Sequence, residues 1–102
     1  SITQAIEYLT DNYQKKISLS DLASETHYSP YHFLRLFKQH TGKTPFEYLL
    51  DLKIEKAKTL LKKTDYSIAE TSYLSGFSST SYFSQTFKKK TGLSPSQYRL
   101  NR

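Results

Sequence analysis

Ser29-Pro30-Tyr31-His32-Phe33-Leu34-Arg35-Leu36-Phe37-Lys38-Gln39-His40-Thr41-Gly42 is answered fifty residues later by Ser79-Thr80-Ser81-Tyr82-Phe83-Ser84-Gln85-Thr86-Phe87-Lys88-Lys89-Lys90-Thr91-Gly92. At that offset Phe33/Phe83, Phe37/Phe87, Lys38/Lys88, Thr41/Thr91, Gly42/Gly92, Pro45/Pro95 and Tyr48/Tyr98 are identical. What repeats is the skeleton of a helix: two aromatics one turn apart, a basic end, a glycine stop and a proline restart. What differs is the opposite face, Tyr31, Leu34 and Arg35 against Ser81, Ser84 and Gln85. A duplicated scaffold with unlike outward faces suits a protein that reads two different short targets.

Outward from this repeat, hydrophobic spacing predicts helix throughout. Ile2, Ile6, Leu9 and Tyr13 mark an amphipathic helix over 2–13. Ser18 or Ser20 caps a short helix over 19–25, with Asp21 near its positive end. Ser29 caps the helix that starts at Pro30 and runs to about residue 40. Thr44-Pro45 opens a long helix to about residue 63, whose apolar positions Phe46, Leu49, Leu50, Ile54, Ala57, Leu60 and Leu61 follow a 3.6 period. Ser67 caps a helix through about residue 74, and Ser78 or Ser79 caps the next, to about residue 90. Ser94-Pro95 starts a last short helix through Tyr98. No segment sustains period-two alternation. The expectation is an all-α fold of about seven helices in one domain: a first subdomain over 1–43, a long linker helix over 44–63 and a second subdomain over 64–102.

In each half a short helix, a tight turn and a second helix follow one another. Leu19, Leu22 and Ala23 precede Tyr28 and the Ser29 helix; Ile68, Thr71 and Ser72 precede Gly76-Phe77 and the Ser79 helix, with one residue inserted. That is the organisation of a helix-turn-helix, whose second helix lies in a DNA major groove. An αα-hairpin that only packs is the duller alternative. Charge bears on the choice. Residues 1–30 carry two basic groups against four acidic ones, a net −2, whereas residues 31–102 carry thirteen against five, a net +8. No acid follows Glu70. Such asymmetry favours a polyanionic partner. The linker of about 18 residues spans roughly 27 Å at 1.5 Å per residue, against about 34 Å for one turn of B-DNA. Two recognition helices then fit successive major-groove segments on one face, and unlike faces imply an asymmetric site.

Ile68-Ala69-Glu70, Gly76-Phe77-Ser78-Ser79, Tyr82-Phe83-Ser84-Gln85-Thr86-Phe87-Lys88-Lys89, Gly92, Ser94-Pro95 and Tyr98-Arg99 together closely resemble the signature of AraC-type (AraC/XylS) transcription regulators. Upstream, Leu22-Ala23, Ser29, Leu36-Phe37-Lys38, Thr41-Gly42, Pro45 and Tyr48-Leu49 resemble the first half of the same domain. The resemblance implies a seven-helix fold with two helix-turn-helix subdomains, both binding double-stranded promoter DNA, in a bacterial, cytoplasmic regulator. It also implies a sensing or dimerisation domain in the full-length protein and, for activators, contact with RNA polymerase. Two departures stand out. Thr71-Ser72 occupy positions where the family has an apolar residue and alanine, which predicts looser packing of the second subdomain. Lys53 replaces a common linker-helix arginine, keeping a cation but losing the forked geometry.

Which residues read follows from helical phase. Phe33, Leu36 and Phe37 take the core side, leaving Tyr31, Leu34, Arg35 and Lys38 outward. Arg35 can meet guanine O6 and N7 bidentately, and Tyr31 and Leu34 can contact a thymine methyl. Phe83 and Phe87 face inward on the later helix, leaving Thr80, Ser81, Ser84, Gln85 and Lys88 outward, with Gln85 suited to adenine N6 and N7. The resemblance places base contacts at Tyr31, Leu34, Arg35, Thr80, Ser81, Tyr82, Ser84 and Gln85. Expected phosphate contacts are Ser29 and Ser79 at helix N-termini, with Lys38, Lys53, Lys88 and Lys89.

Other chemistries find little purchase. No cysteine means no disulfide framework or thiolate, a composition compatible with a reducing cytoplasm. His27, His32 and His40 have no partner at ligand spacing, and each glycine stands alone, so neither a metal site, a cofactor loop nor catalysis is expected. No apolar run approaches the roughly 18 residues of a membrane span. The start at Ser1 is expected to reflect a piece cut from a larger regulator. The competing functional reading is a basic helical adaptor that binds protein partners such as RNA polymerase.

Overall fold

The computed structural model describes residues 1–101. Among them are seven helices: α1 (Ile2–Asn12), α2 (Leu19–Ser24), α3 (Pro30–Thr41), α4 (Pro45–Lys63), α5 (Ile68–Leu74), α6 (Thr80–Thr91) and α7 (Pro95–Leu100). The all-α expectation holds, and its open boundaries are resolved. Ser18 caps α2, its hydroxyl accepting from the Asp21 N–H, and Ser79 caps α6, accepting from the Tyr82 N–H. Both α3 and α6 run one residue beyond the expected end. In each the terminal threonine hydroxyl donates to the carbonyl four residues back, Thr41 to Phe37 and Thr91 to Phe87, at 2.9 and 2.8 Å. Gly42 and Gly92 then take φ of 78° and 83°, the left-handed conformation in which a side chain is strained.

Packing divides the chain into two compact units, Ser1–Leu52 and the residues from Lys53 onward. In the first, Ile2, Ala5 and Leu9 of α1, Leu22 and Ala23 of α2, Phe33 and Phe37 of α3 and Leu49 of α4 form one buried cluster. In the second the buried set is Ile54, Ala57 and Leu61 of α4, Thr71, Ser72 and Ser75 with Phe77, and Phe83 and Phe87 of α6. The repetition therefore reaches further than the aromatic segment. Ile2, Ala5 and Leu9 stand 52 residues before Ile54, Ala57 and Leu61, so the second half of α4 supplies to its unit the apolar stripe that α1 supplies to the first.

The aromatic skeleton is built twice to the same dimensions. Phe33 and Phe37 lie 5.6 Å apart by ring centroid, Phe83 and Phe87 5.7 Å. Tyr48 meets the Phe37 ring edge-on at 5.5 Å, and Tyr98 meets Phe87 at 5.3 Å. Edge-to-face pairs of this kind add about 0.5–1.5 kcal/mol beyond burial.

The two units differ at the first helix of each pair. Where α2 buries Leu22, Ala23 and, just after it, Thr26, the second unit buries Thr71, Ser72 and Ser75. Thr26 donates to the Ala23 carbonyl at 2.8 Å, and Ser72 donates to the Ser79 carbonyl at 3.3 Å. The hydroxyls of Thr71 and Ser75 have no protein partner. A hydroxyl buried without one costs free energy, a cost the first unit avoids by placing Leu22 at the position of Thr71. The turns differ too. His27 adopts φ 65° where the second unit has Gly76 at φ 93°.

These contrasts set three expectations for stability. His27→Gly should stabilise the chain by about 0.5–1 kcal/mol by relieving left-handed strain, while Gly76→Ala should destabilise by about 1–2 kcal/mol. Urea denaturation reads both, and a loss of stability in His27→Gly would show that the turn is not strained. Thr71→Val, nearly isosteric, should gain about 1 kcal/mol by removing an unpartnered hydroxyl; a drop in the melting midpoint would mean the hydroxyl is satisfied.

Candidate nucleic-acid interface

All seven helices begin at a serine or threonine cap, but not in the same way. In α1, α2, α5 and α7 the cap hydroxyl accepts from the N–H of the third helical residue, and that residue's Gln, Asp or Glu side chain returns a bond to the cap N–H. Thr44 and Glu47 make the same reciprocal pair at the start of α4. The exceptions are α3 and α6. Their third residues are His32 and Tyr82, which supply no return bond, and neither first turn contains an acid. A carboxylate there would repel a phosphate from amides otherwise able to receive it. The aromatic side chains turn instead toward the preceding turn: Tyr28 meets His32 edge-on at 5.2 Å, and Phe77 meets Tyr82 at 5.9 Å.

The outward faces of α3 and α6 carry the expected side chains in matching states of exposure. Tyr31, Arg35 and Lys38 are exposed and Leu34 is half-buried; Ser81, Gln85 and Lys88 are exposed and Ser84 is half-buried. Thr80, Lys89 and the capping residues Ser29 and Ser79 are also exposed. Tyr31 is 73% exposed. Tyr82 keeps half its surface in spite of Phe77. Leu36, expected in the core, is only partly buried against it.

Beside α3 lies an open groove of about 470 Å³ bounded by Leu34, Arg35, Lys38, Gln39 and Thr44. Gln39 was not among the expected readers, though it stands four residues after Arg35 and so on the same outward face; extending the phase by one turn finds it. Thr44, at the start of α4, is brought beside it only by the fold.

Among the cations, Lys43 is ion-paired with Asp51, whose hydrogen bond holds the ammonium above the usual lysine range. Lys58 pairs with Glu55 at 3.0 Å, and Lys62 lies 5.0 Å over the Tyr98 ring. Lys53, an expected phosphate contact, is half-buried with its ammonium 5.8 Å over the Phe77 ring, and burial lowers its pKa. The fold does not turn Lys53 outward in the manner of Lys38, Lys88 and Lys89. Among the described residues no group of three or more His, Cys, Asp or Glu could hold a metal ion, and no helix is long and apolar enough to cross a membrane.

Two short-helix, turn, longer-helix units with polar, basic outward faces define a helix-turn-helix DNA-binding domain of the kind that regulates transcription. Residues 22–101 match the family model described as a helix-turn-helix domain. The chain belongs to the AraC-type helix-turn-helix family. It is 39% identical over 92 residues to the MmsAB operon regulatory protein of Pseudomonas aeruginosa, covering 90% of this chain and 30% of that protein. It is 38% identical over 93 residues to the bifunctional transcriptional activator/DNA repair enzyme AdaA of Bacillus subtilis, covering 91% and 44%. The chain thus spans less than half the length of these relatives. Among solved structures it superposes on the DNA-binding domain of AdpA, determined in complex with a target DNA, with a TM-score of 0.92 at 26% identity over 98% of this chain and 90% of that one. With the C-terminal domain of AraT, a response regulator from Geobacillus stearothermophilus, the TM-score is 0.91 at 33% identity over 99% and 84%.

Proposed function

We propose that this chain binds double-stranded promoter DNA through α3 and α6, placed in successive major-groove segments, and acts without catalysis of its own. In this reading residues 1–43 form the first reading subdomain, 44–63 the linker helix and 64–102 the second. The observation that carries it is the shared treatment of α3 and α6. They alone lack a reciprocal cap, carry no acid in the first turn and end in basic residues, and they repeat one burial pattern beneath unlike outward faces. Phosphates would seat at the α3 and α6 N-termini, beside Ser29 and Ser79, and on Lys38, Lys88 and Lys89.

Base reading would fall to the faces between. Arg35, fronting the groove with Leu34 and Gln39, presents five donors to a guanine, while the exposed Tyr31 ring and Leu34 suit thymine methyls. On α6 Gln85 pairs with adenine, and Thr80, Ser81 and Ser84 permit close or water-bridged approach, with Tyr82 at the edge. The operator would be asymmetric, its halves centred about 10–11 base pairs apart.

A protein contact has an observation of its own. Ala69, Glu70, Tyr73 and Leu74 line an apolar groove of about 340 Å³ on α5, with Tyr73 78% exposed. The positions in register on α2 are Ser20, Asp21, Ser24 and Glu25. The scaffold does not need this face to be apolar, which favours docking of a protein such as RNA polymerase alongside DNA. In a full-length regulator a sensing or dimerisation domain would complete the molecule.

The test is binding to a duplex recovered by in vitro selection with the 102-residue chain. Log K should fall steeply with log salt, by roughly 0.9 per phosphate contact, and a flat response between about 50 and 200 mM would remove the DNA reading. Arg35→Ala should lose roughly 1–3 kcal/mol and relax one half-site, Gln85→Ala the other, while Lys88→Ala weakens all sequences alike. If both α3 and α6 changes altered the same base pairs, only one unit would be a reader. Tyr73→Ser should leave DNA affinity unchanged and abolish binding to polymerase subunits; unaltered polymerase binding would end the protein-docking reading.

A further inference from the structure

The geometry points to Lys53 as a positioning residue for the second recognition helix, acting through Phe77 and Tyr82 rather than by contact with a phosphate. This rests on the reading of α6 as a recognition helix. Phe77 sits in the turn between α5 and α6, its N–H donating to the Ser72 carbonyl at 3.0 Å directly after the left-handed Gly76. Its ring is the hub of a small cluster of tilted rings. Phe83 lies 5.0 Å away on the buried side of α6, Tyr82 lies 5.9 Å away on the exposed side, and the Lys53 ammonium lies 5.8 Å from the centroid. An ammonium within about 6 Å of a ring face is drawn to its negative quadrupole, more so where water is partly excluded, and Lys53 is half-buried.

The consequence falls on the first turn of α6. Tyr82 is its third residue and supplies no return bond to the Ser79 N–H, so Phe77 takes over the orienting that a capping carboxylate performs elsewhere in the chain. Fixing the Phe77 ring therefore fixes where Tyr82, and with it Ser81 and Gln85, point. The first unit is the internal control. There Tyr28 and His32 form the corresponding aromatic pair, but the position in register with Lys53 is Ser1, which caps α1 and cannot reach over a ring. That unit has leucine and alanine under its turn, whereas the second has Thr71, Ser72 and Ser75. The extra clamp stands where the core beneath the turn is less apolar.

The two roles of Lys53 separate experimentally with Lys53→Met, which keeps the alkyl stem and removes the charge, and Lys53→Arg, which keeps a cation able to stack. Binding of the folded 102-residue chain to the selected duplex is measured across salt and against duplexes altered in one half-site at a time. Lys53→Met should lower discrimination by about 3–10-fold in the half read by α6, leave the other half intact and leave the salt slope unchanged, with Lys53→Arg restoring the loss. A slope shallower by about 0.9 with both halves weakened alike would make Lys53 a phosphate contact, and unchanged discrimination would also overturn the proposal. A measurement without DNA keeps it testable if Lys53→Met unfolds. The Lys53 ε-methylene protons should be shifted upfield by the Phe77 ring current in the wild-type chain and return to ordinary values in Phe77→Leu; their absence from the ring current would overturn it. Failure of the wild-type chain to bind any selected duplex would count against the DNA reading and leave the ring-current result to decide the contact.

Discussion

Everything in this chain hangs on two buried phenylalanines one helical turn apart, seated against a tyrosine from the following helix. Phe33 and Phe37 under Tyr48, and Phe83 and Phe87 under Tyr98, are fully buried at the phenylalanines and held edge-on by the tyrosines. Burying each phenylalanine is worth about 1.5–3 kcal/mol, which commits one stripe of the helix to the interior. At 3.6 residues per turn the opposite stripe must then face out. The constraint fixes which residues are presented without fixing what they are. That freedom lets one scaffold carry Tyr31, Leu34 and Arg35 in one copy and Ser81, Ser84 and Gln85 in the other.

The same economy governs the helix ends. Serine or threonine begins every helix, satisfying donors that a helix leaves open. Where the end has only to be closed, an acid or amide three residues on completes the bond in return. Where the end belongs to α3 or α6 an aromatic residue takes that place and packs on the preceding turn. The first turn stays without negative charge, in a chain whose last acid is Glu70. Under the proposed DNA reading, local capping chemistry and the electrostatics of a polyanion interface are one choice at one position.

The two units are not equal copies. The first closes over Leu22 and Ala23 and strains His27 into a left-handed turn; the second relaxes that turn with Gly76 and accepts hydroxyls at Thr71, Ser72 and Ser75. The second unit also exposes Tyr73 and an apolar α5 groove where the first is polar. Turn, core floor and outer faces thus differ between the units while the aromatic frame keeps the same dimensions.

Much of this was legible in the sequence. Helix number, the caps at Ser29, Ser67 and Ser94, the glycine stops and the core side of α3 and α6 all follow from 3.6-residue spacing and from which residues tolerate a helix end, because those are local properties. The outward positions of Tyr31, Arg35 and Gln85 followed from the same phase. Tertiary structure decided what local phase cannot reach. It alone pairs Ile2, Ala5 and Leu9 with Ile54, Ala57 and Leu61 as equivalent stripes, since helices with different neighbours in sequence can fill the same place in a core. It brings Thr44 to the groove beside Arg35, and it sets the Lys53 ammonium over the Phe77 ring. A lysine's charge is written in the sequence, but where a flexible four-carbon stem carries it depends on the apolar surface within reach.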